Sequence, residues 1–468
     1  MKKLIGLIVA LVSVILIGWS FAQSTRTRLD LRTGPIINSG DVSNLALVLS
    51  VEFPTTGSAY KTGTSPRGYV ATSKYLGYYD SKTCYRYKGT SADGYFHPSG
   101  ATNANYQCNV SGTGTGWSGN LLNFANTSSV DILRMALTGG DRYVDESSTS
   151  VTPPRTILQR AILPSDASGS GGNRDTNFYD GGANYAAGNH NWDKVILAAG
   201  ASTAALTPFG SSTQVVIKAC DDKIFFGSSD TGTCAAPANN ANLSVASTSS
   251  PSTTVTGVFK ARVLVCDATE GPVRTDLCKQ QADGYYKPVG EIQKNADKVR
   301  VAAFGYLIDS ADWGTGTEGS RYGGVLRAPM KFAGPNLRTV SGGVYSTNVS
   351  SNPENEWDAN TGVFVLKPLN STPETGYTTT GVINYINKFG RLTRSDGVGI
   401  DVYKRRDPVG ELYYESIRYF QGQQPTTAAV TTTTTALLAG YPMYSTWSDP
   451  MQTSCQRNYA MLIGDNNT

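Results

Sequence analysis

Three nearly continuous apolar runs lie far apart in this chain: residues 44–51, built on Leu45-Ala46-Leu47-Val48-Leu49, residues 299–308, and residues 458–465, built on Tyr459-Ala460-Met461-Leu462-Ile463. A strand with one wet face alternates apolar and polar residues. A run without alternation suits a strand buried on both faces, as in parallel sheets covered by helices. Residues 324–332 alternate and read as a further strand, and residues 258–266 as another. Residues 214–218 and 223–226 give shorter strand-like pieces, and residues 156–163 fit a short helix or a strand.

Amphipathic helices separate these strands. Ser118 caps a short helix carrying Leu121, Leu122 and Phe124. Ser128 caps a second, with Asp131 at the capping-box position, Ile132, Leu133, Ala136 and Leu137 on one face, and Gly139 as its stop. Residues 380–389 place Val382, Ile383, Ile386 and Phe389 on one face. A fourth helix opens with Asp407 as N-cap and Pro408 at the first helical position, buries Val409, Leu412, Tyr413, Ile417 and Phe420, and ends near Gly422. Buried strands alternating with such helices predict a doubly wound α/β domain. The run at 458–465 reads as a buried core strand ending in an acid, so the sheet is expected to continue past Thr468 and the chain to be truncated at its C-terminus.

At 468 residues the chain has room for about three domains, or for one with large insertions. Charged residues make up 16%, against roughly 25% in an average soluble domain. The 50 glycines and 26 tyrosines, with many Ser and Thr, concentrate between the core elements. Insertions are therefore expected at about 54–116, 164–297 and 335–375, within a domain of residues 41–468 that follows a flexible lead-in of residues 23–40.

Met1-Lys2-Lys3, the apolar stretch from Leu4 to Trp19 and Ser20-Phe21-Ala22 read as a secretory signal cut after Ala22. A retained membrane anchor is the competing reading. Cysteine usage agrees with an oxidising compartment. There are seven cysteines and no Cys-x-x-Cys, and six of them fall into sequence-local pairs: Cys84 with Cys108, Cys220 with Cys234, and Cys266 with Cys278. Locality is the only warrant for that pairing. Each loop closed this way contributes about 3 kcal/mol in the chain-entropy model. Cys455 is left over, as a buried thiol or with a partner outside this chain.

The net charge is +4, and without Lys2 and Lys3 it is 38 basic against 36 acidic residues, with no basic block. No nucleic-acid partner is expected. Two histidines, His97 and His190, exclude a multi-histidine zinc site and leave little room for histidine acid–base chemistry. Gly114-Thr115-Gly116-Trp117-Ser118-Gly119 matches GxGxxG, but no buried strand precedes it, so it reads as a glycine-rich loop feeding a helix. Asp175-Thr176-Asn177-Phe178-Tyr179-Asp180-Gly181 has calcium-loop composition without EF-hand spacing and reads as a polar turn; His190 reads as a loop residue.

Several segments together resemble the N-terminal region of the PilC/PilY family of type IV pilus tip and biogenesis proteins. They are Trp117-Ser118-Gly119-Asn120-Leu121-Leu122-Asn123-Phe124-Ala125, Asp131-Ile132-Leu133-Arg134, Gly139-Gly140-Asp141-Arg142-Tyr143-Val144-Asp145 and residues 381–390. Asp407-Pro408-Val409, Glu411-Leu412-Tyr413-Tyr414-Glu415, Cys455-Gln456-Arg457-Asn458-Tyr459 and Ile463-Gly464-Asp465 complete the ordered set. The resemblance implies a von Willebrand factor A-like domain followed by a C-terminal β-propeller. Neither the propeller nor the calcium loop that some members carry in it is expected within these 468 residues. The adhesion site of such a domain wants Asp-x-Ser-x-Ser after the first strand, where this chain has Ser50-Val51-Glu52-Phe53-Pro54. Only Asp465 keeps the right type, and a divalent ion needs more oxygens than that. No metal and no cofactor are expected.

The function this implies is a non-enzymatic, exported protein at the pilus, in the periplasm, outer membrane or cell surface. It would act in pilus assembly, tip adhesion and twitching motility, with minor pilins or a pilus-tip complex and a host or surface ligand as partners, and no small-molecule substrate. The competing readings are a stand-alone secreted von Willebrand A-like binding protein and a secreted hydrolase.

Overall fold

The run around Leu47 becomes β1 (Ser43–Ser50), the inner strand of a four-stranded sheet with β2 (Val299–Tyr306), β3 (Gly324–Lys331) and β4 (Asn458–Gly464). The computed structural model describes residues 42–50, 55, 57–60, 69–89, 93–162, 195–211, 214–220, 222–228, 256–307, 324–369, 373–389, 408–431 and 438–464. All of them belong to one unit, Val42–Thr468. The sheet order is β3-β2-β1-β4. β1 runs parallel to both neighbours, with Leu47 opposite Ala303 and Met461, and β3 is antiparallel to β2. Chain order thus reverses direction across the sheet between β1 and β4, as a doubly wound sheet requires.

The missing alternation in β1 has its expected cause. Leu47, Leu49, Val301 and Ala303 pack on one face against Ile383, Ile386 and Val130. Ala46, Val48, Ala302 and Phe304 pack on the other against Leu412, Tyr419 and Trp447. Helices α1 (Gly119–Asn126), α2 (Ser129–Thr138), α3 (Val382–Lys388) and α4 (Val409–Phe420) follow in chain order; the last three frame this core, while α1 packs through Leu121, Leu122 and Phe124 into a second one. The caps of the first two stand as the sequence has them. Ser118 accepts from the Leu121 N–H, and Ser128 and Asp131 close a capping box. Gly139 ends α2 at φ 84°, a left-handed conformation that glycine adopts without strain.

Several expectations give way. The run at 458–465 was expected as a buried strand, yet β4 is the edge strand, with Tyr459, Met461 and Leu462 52%, 47% and 48% exposed. No strand among the described residues pairs with its outer side. Helix α4 starts at Val409 with Pro408 in the N-cap place and no side-chain cap, while Asp407 lies outside the described residues. Its buried face is Leu412, Glu415, Ser416 and Tyr419, and Val409 and Tyr413 are exposed. Hydrogen bonding sets that rotation: Glu415 accepts from Thr426 N and Oγ1, and the Tyr419 hydroxyl accepts from Met330 N. The single strand expected at 258–266 is two, Thr256–Lys260 and Arg262–Val265, which break at Ala261 and enter different sheets.

The stretches read as insertions at about 54–116 and 164–297 hold a core of their own. A six-stranded sheet runs in the order Trp117–Ser118, Thr83–Lys88, Tyr95–Ala101, Arg262–Val265, Thr156–Gln159, Arg142–Asp145. A four-stranded antiparallel sheet joins Val195–Leu197, Val215–Cys220, Lys223–Gly227 and Thr256–Lys260. Between them Trp117 meets Phe96, Phe209, Phe226 and Phe259 at centroid distances of 5.3–5.7 Å. Tyrosine in these stretches is therefore largely core, as Tyr75, Tyr78, Tyr79, Tyr85 and Tyr87 are all buried.

Candidate functional site

In a doubly wound sheet the ligand crevice lies outside the carboxyl ends of the strands where strand order reverses, here the ends of β1 and β4. Ser50 closes β1, and its Oγ lies 2.7 Å from the Tyr306 hydroxyl at the end of β2, both buried. Gly464 ends β4 against Ser50, where an added Cβ would stand 2.8 Å from the Ser50 Cβ. The Tyr306 carbonyl accepts from Arg327, whose guanidinium also donates to the carbonyls of Leu438, Tyr441 and Pro442. Burial holds the Arg327 pKa below its ordinary value. Val51, Glu52, Phe53, Pro54 and Asp465 lie outside the described residues. Of the adhesion-site positions only Ser50 is seen, and its hydroxyl is engaged by Tyr306. Among the described residues no group of three His, Cys, Asp or Glu side chains is placed to hold a metal. The residues seen at this point make a hydroxyl pair.

The segment from Gly114 to Asn123 is where sequence motif and geometry meet. Its glycines serve close backbone approach rather than phosphate binding. A Cβ on Gly119 would stand 2.1 Å from the Asp80 carbonyl, and one on Gly114 2.8 Å from the Gly100 Cα. Asn120 and Asn123, one turn apart on α1, grip the loop before the Thr83–Lys88 strand. Asn120 accepts from Tyr75 N and donates to the Ser73 carbonyl; Asn123 accepts from Tyr79 N and donates to the carbonyls of Tyr75 and Tyr79. A Cβ on Gly77 would collide with Asn123 at 2.3 Å. The disulfide Cys84–Cys108 pins the same region, and Cys266–Cys278 the next. The Cys220 side chain and Cys234 lie outside the described residues, as do Asp175, Asp180 and His190. Cys455 is exposed and free, which removes the buried-thiol alternative.

Sequence reasoning missed a set of buried arginines that act as loop clamps. Arg134 on α2 donates to the carbonyls of Ile386 and Phe389 at the C-terminal end of α3, where the helix dipole favours a cation. Arg300 donates to the carbonyls of Pro450 and Met330, and Arg274 to those of Gly77, Tyr78 and Tyr79. An arginine spent on carbonyls has no spacing signature, so no motif marks it. Arg142 shares its acid with a second cation: it pairs with Asp145 at 2.8 Å, and Asp145 also holds Lys287 at 2.9 Å. Burial pushes the Asp145 pKa up, but Arg142 and Lys287 outweigh it and hold the carboxyl below the ordinary value.

Residues 66–244 match the family model described as PilY1 homolog, small alpha/beta domain, and residues 332–468 match PilY1 homolog, second domain. A protein of Xylella fastidiosa (strain Temecula1 / ATCC 700964) named type IV pilus biogenesis factor PilY1 homolog is 32% identical over 457 residues, 93% of this chain and 33% of that protein. A second protein of the same name and organism is 27% identical over 372 residues, 74% of this chain and 22% of that protein. The chain thus spans about a third and about a fifth of the lengths of these relatives. No solved structure matches. With both domains of one family present in order, and one relative similar along nearly its whole length, the chain belongs to the PilY1 homolog family.

Proposed function

We propose that this chain belongs to a non-enzymatic type IV pilus-associated protein that acts in pilus assembly, tip adhesion and twitching motility. The observation that carries the reading is its 32% identity, over 93% of its length, to a protein named as a type IV pilus biogenesis factor. Export by the leader of residues 1–22 would bring it to the periplasm, the outer membrane and the pilus at the cell surface. Two disulfides are at home there. Its partners would be minor pilins or a pilus-tip complex, and a host or surface ligand.

The core sheet supports a von Willebrand factor A-like reading. It has three parallel strands, an antiparallel edge strand, the order β3-β2-β1-β4 and helices over both faces. A clean deletion of the gene, scored by counting surface pili in electron micrographs and by twitching-zone diameter, tests the function. Loss of pili and motility, restored by the wild-type gene, is expected. Normal pilus number and normal twitching in the deletion strain would refute it.

A further inference from the structure

The backbone of β4 faces two ways. Its pairing with β1 sets Asn44 opposite Asn458, and the Asn44 N–H donates to the Arg457 carbonyl. Along a strand the N–H and C=O of one residue point to one side and those of the next to the other. Arg457, Tyr459, Met461 and Ile463 therefore turn their backbone groups toward β1. Asn458, Ala460, Leu462 and Gly464 turn theirs outward, and among the described residues no strand meets them. A strand that docks here must answer this row of outward groups with a matching one.

A second copy of β4, laid antiparallel, matches the whole row in one register. Position 458 then meets 464 of the other copy and 460 meets 462, so every outward residue of Asn458–Gly464 has a mate, and a two-fold axis passes through Met461. Each of these pairs exchanges two hydrogen bonds. Moving the axis to Ala460 or Leu462 leaves one end of the strand without its mate. The side chains agree with the full overlap. On the face of Met461, Tyr459 comes opposite Ile463 of the second copy, an aromatic beside a β-branched residue, and on the other face Ala460 comes opposite Leu462. The charges agree as well. β4 carries none, but Arg457 precedes it in the sequence and Asp465 follows it. The same register sets position 457 against position 465 of the second copy, once on each side of the axis, and opposite charges directly across two strands attract. A one-residue move of the axis separates them. Arg457 is half-buried and makes no ion pair among the described residues.

We propose that β4 is the interface of a homodimer, in which two chains pair antiparallel about Met461 and their four-stranded sheets join into one. Any other occupant has to bring an uncharged strand of this length with an acid and a base at the matching ends, and the chain itself supplies that sequence. The contact is isologous: each chain uses the same edge, so association closes at two copies. It covers Tyr459, Met461 and Leu462, which stand about half exposed in the single chain.

In analytical ultracentrifugation the form cut after Ala22 should show a monomer–dimer equilibrium that stops at the dimer. Arg457→Asp sets like charges across the axis twice and should raise the dimer dissociation constant about ten-fold. Adding Asp465→Arg to that variant should restore wild-type association, a rescue that a folding defect would not give. Cross-linking reads the register. In a Cys455→Ser background, Met461→Cys should form a disulfide-linked dimer on mild oxidation, because residues at a non-hydrogen-bonded antiparallel pair stand about 4.5 Å apart at Cα, within disulfide reach. Tyr459→Cys in the same background should not, because its two copies lie four residues apart along the strands, about 14 Å. A monomer at every concentration, cross-linking at 459 and not at 461, or a charge reversal that the double variant does not rescue would overturn the proposal.

Discussion

Arg134, Arg160 and Arg327 are among the largest fully buried side chains of a chain with only 16% charged residues. A buried charge is costly without partners. The guanidinium limits that cost because it is weakly hydrated and carries five donors that backbone carbonyls can absorb. The triad of Arg142, Asp145 and Lys287 works differently, since its one acid serves two cations. Asp145→Asn leaves both cations buried without a carboxylate, and the expected loss is about 3 kcal/mol at neutral pH, read from the denaturant midpoint. The pH dependence has a definite sign. The folded pKa of Asp145 is depressed, so its contribution is full above the ordinary aspartate value and is lost as pH falls through the folded value. The gap between wild type and variant should therefore close in acid, and equal midpoints at pH 7 would dismiss the triad as a stabilising unit. At Ser50 a second residue-scale expectation applies. With its hydroxyl engaged by Tyr306 and no Asp-x-Ser-x-Ser present, titration calorimetry with Mg²⁺, Mn²⁺ or Ca²⁺ should find no tight site near the strand ends. A micromolar site abolished by Asp465→Ala would reverse that.

At the scale of elements, what the sequence made legible was local. The caps of α1 and α2 rest on Ser118, Ser128, Asp131 and Gly139, and β1 and β2 show their two buried faces as nearly continuous apolar runs. What it hid depends on partners outside the element itself. Helix α4 turned its polar Glu415 and Ser416 inward because Thr426 offers Glu415 two donors, and no hydropathy pattern contains that information. Ala261 looks like the middle of one strand, yet the Arg262 side chain bonds Gln159 and the chain changes sheets there. For the candidate site, the sequence indicated Ser50 and the poor adhesion motif, while the triad of Arg142, Asp145 and Lys287 joins residues more than 140 positions apart and was invisible. Helix α4 supplies a test of the corrected face. Tyr419 is buried beside Phe304 and Trp447, so Tyr419→Ala should cost about 3 kcal/mol. Tyr413 is exposed, and Tyr413→Ser should stay within about 0.5 kcal/mol of wild type. The reverse order of effects in a melting comparison would restore the face expected from hydropathy.

For the whole molecule, the consequential surface is the outer side of β4. Asn458–Gly464 contains no charge and no proline, and these are the usual devices that keep a sheet edge from pairing. Tyr459 and Met461 share the face of β1 that carries Leu45 and Leu47, and Leu462 shares the face that carries Val48. All three are about half exposed, so the strand has apolar side chains on both faces and, among the described residues, only one neighbour. Val409, Tyr413 and Tyr414 on α4, which packs against this sheet, add further exposed apolar surface. Each such side chain fully buried by a partner contributes about 1.5–3 kcal/mol, and an added strand also satisfies the open row of backbone groups. The form cut after Ala22 should therefore self-associate through this edge, with a molar mass by light scattering that rises with concentration. Met461→Lys with Leu462→Lys places a charge on each face of the strand, where an incoming strand would bury it. That variant should run as a monomer with a melting midpoint close to that of wild type, since both side chains already stand in solvent. A wild-type chain that stays monomeric and monodisperse as concentration rises, with a single cooperative transition, would show that β4 needs no neighbour, and the open-edge argument would fail.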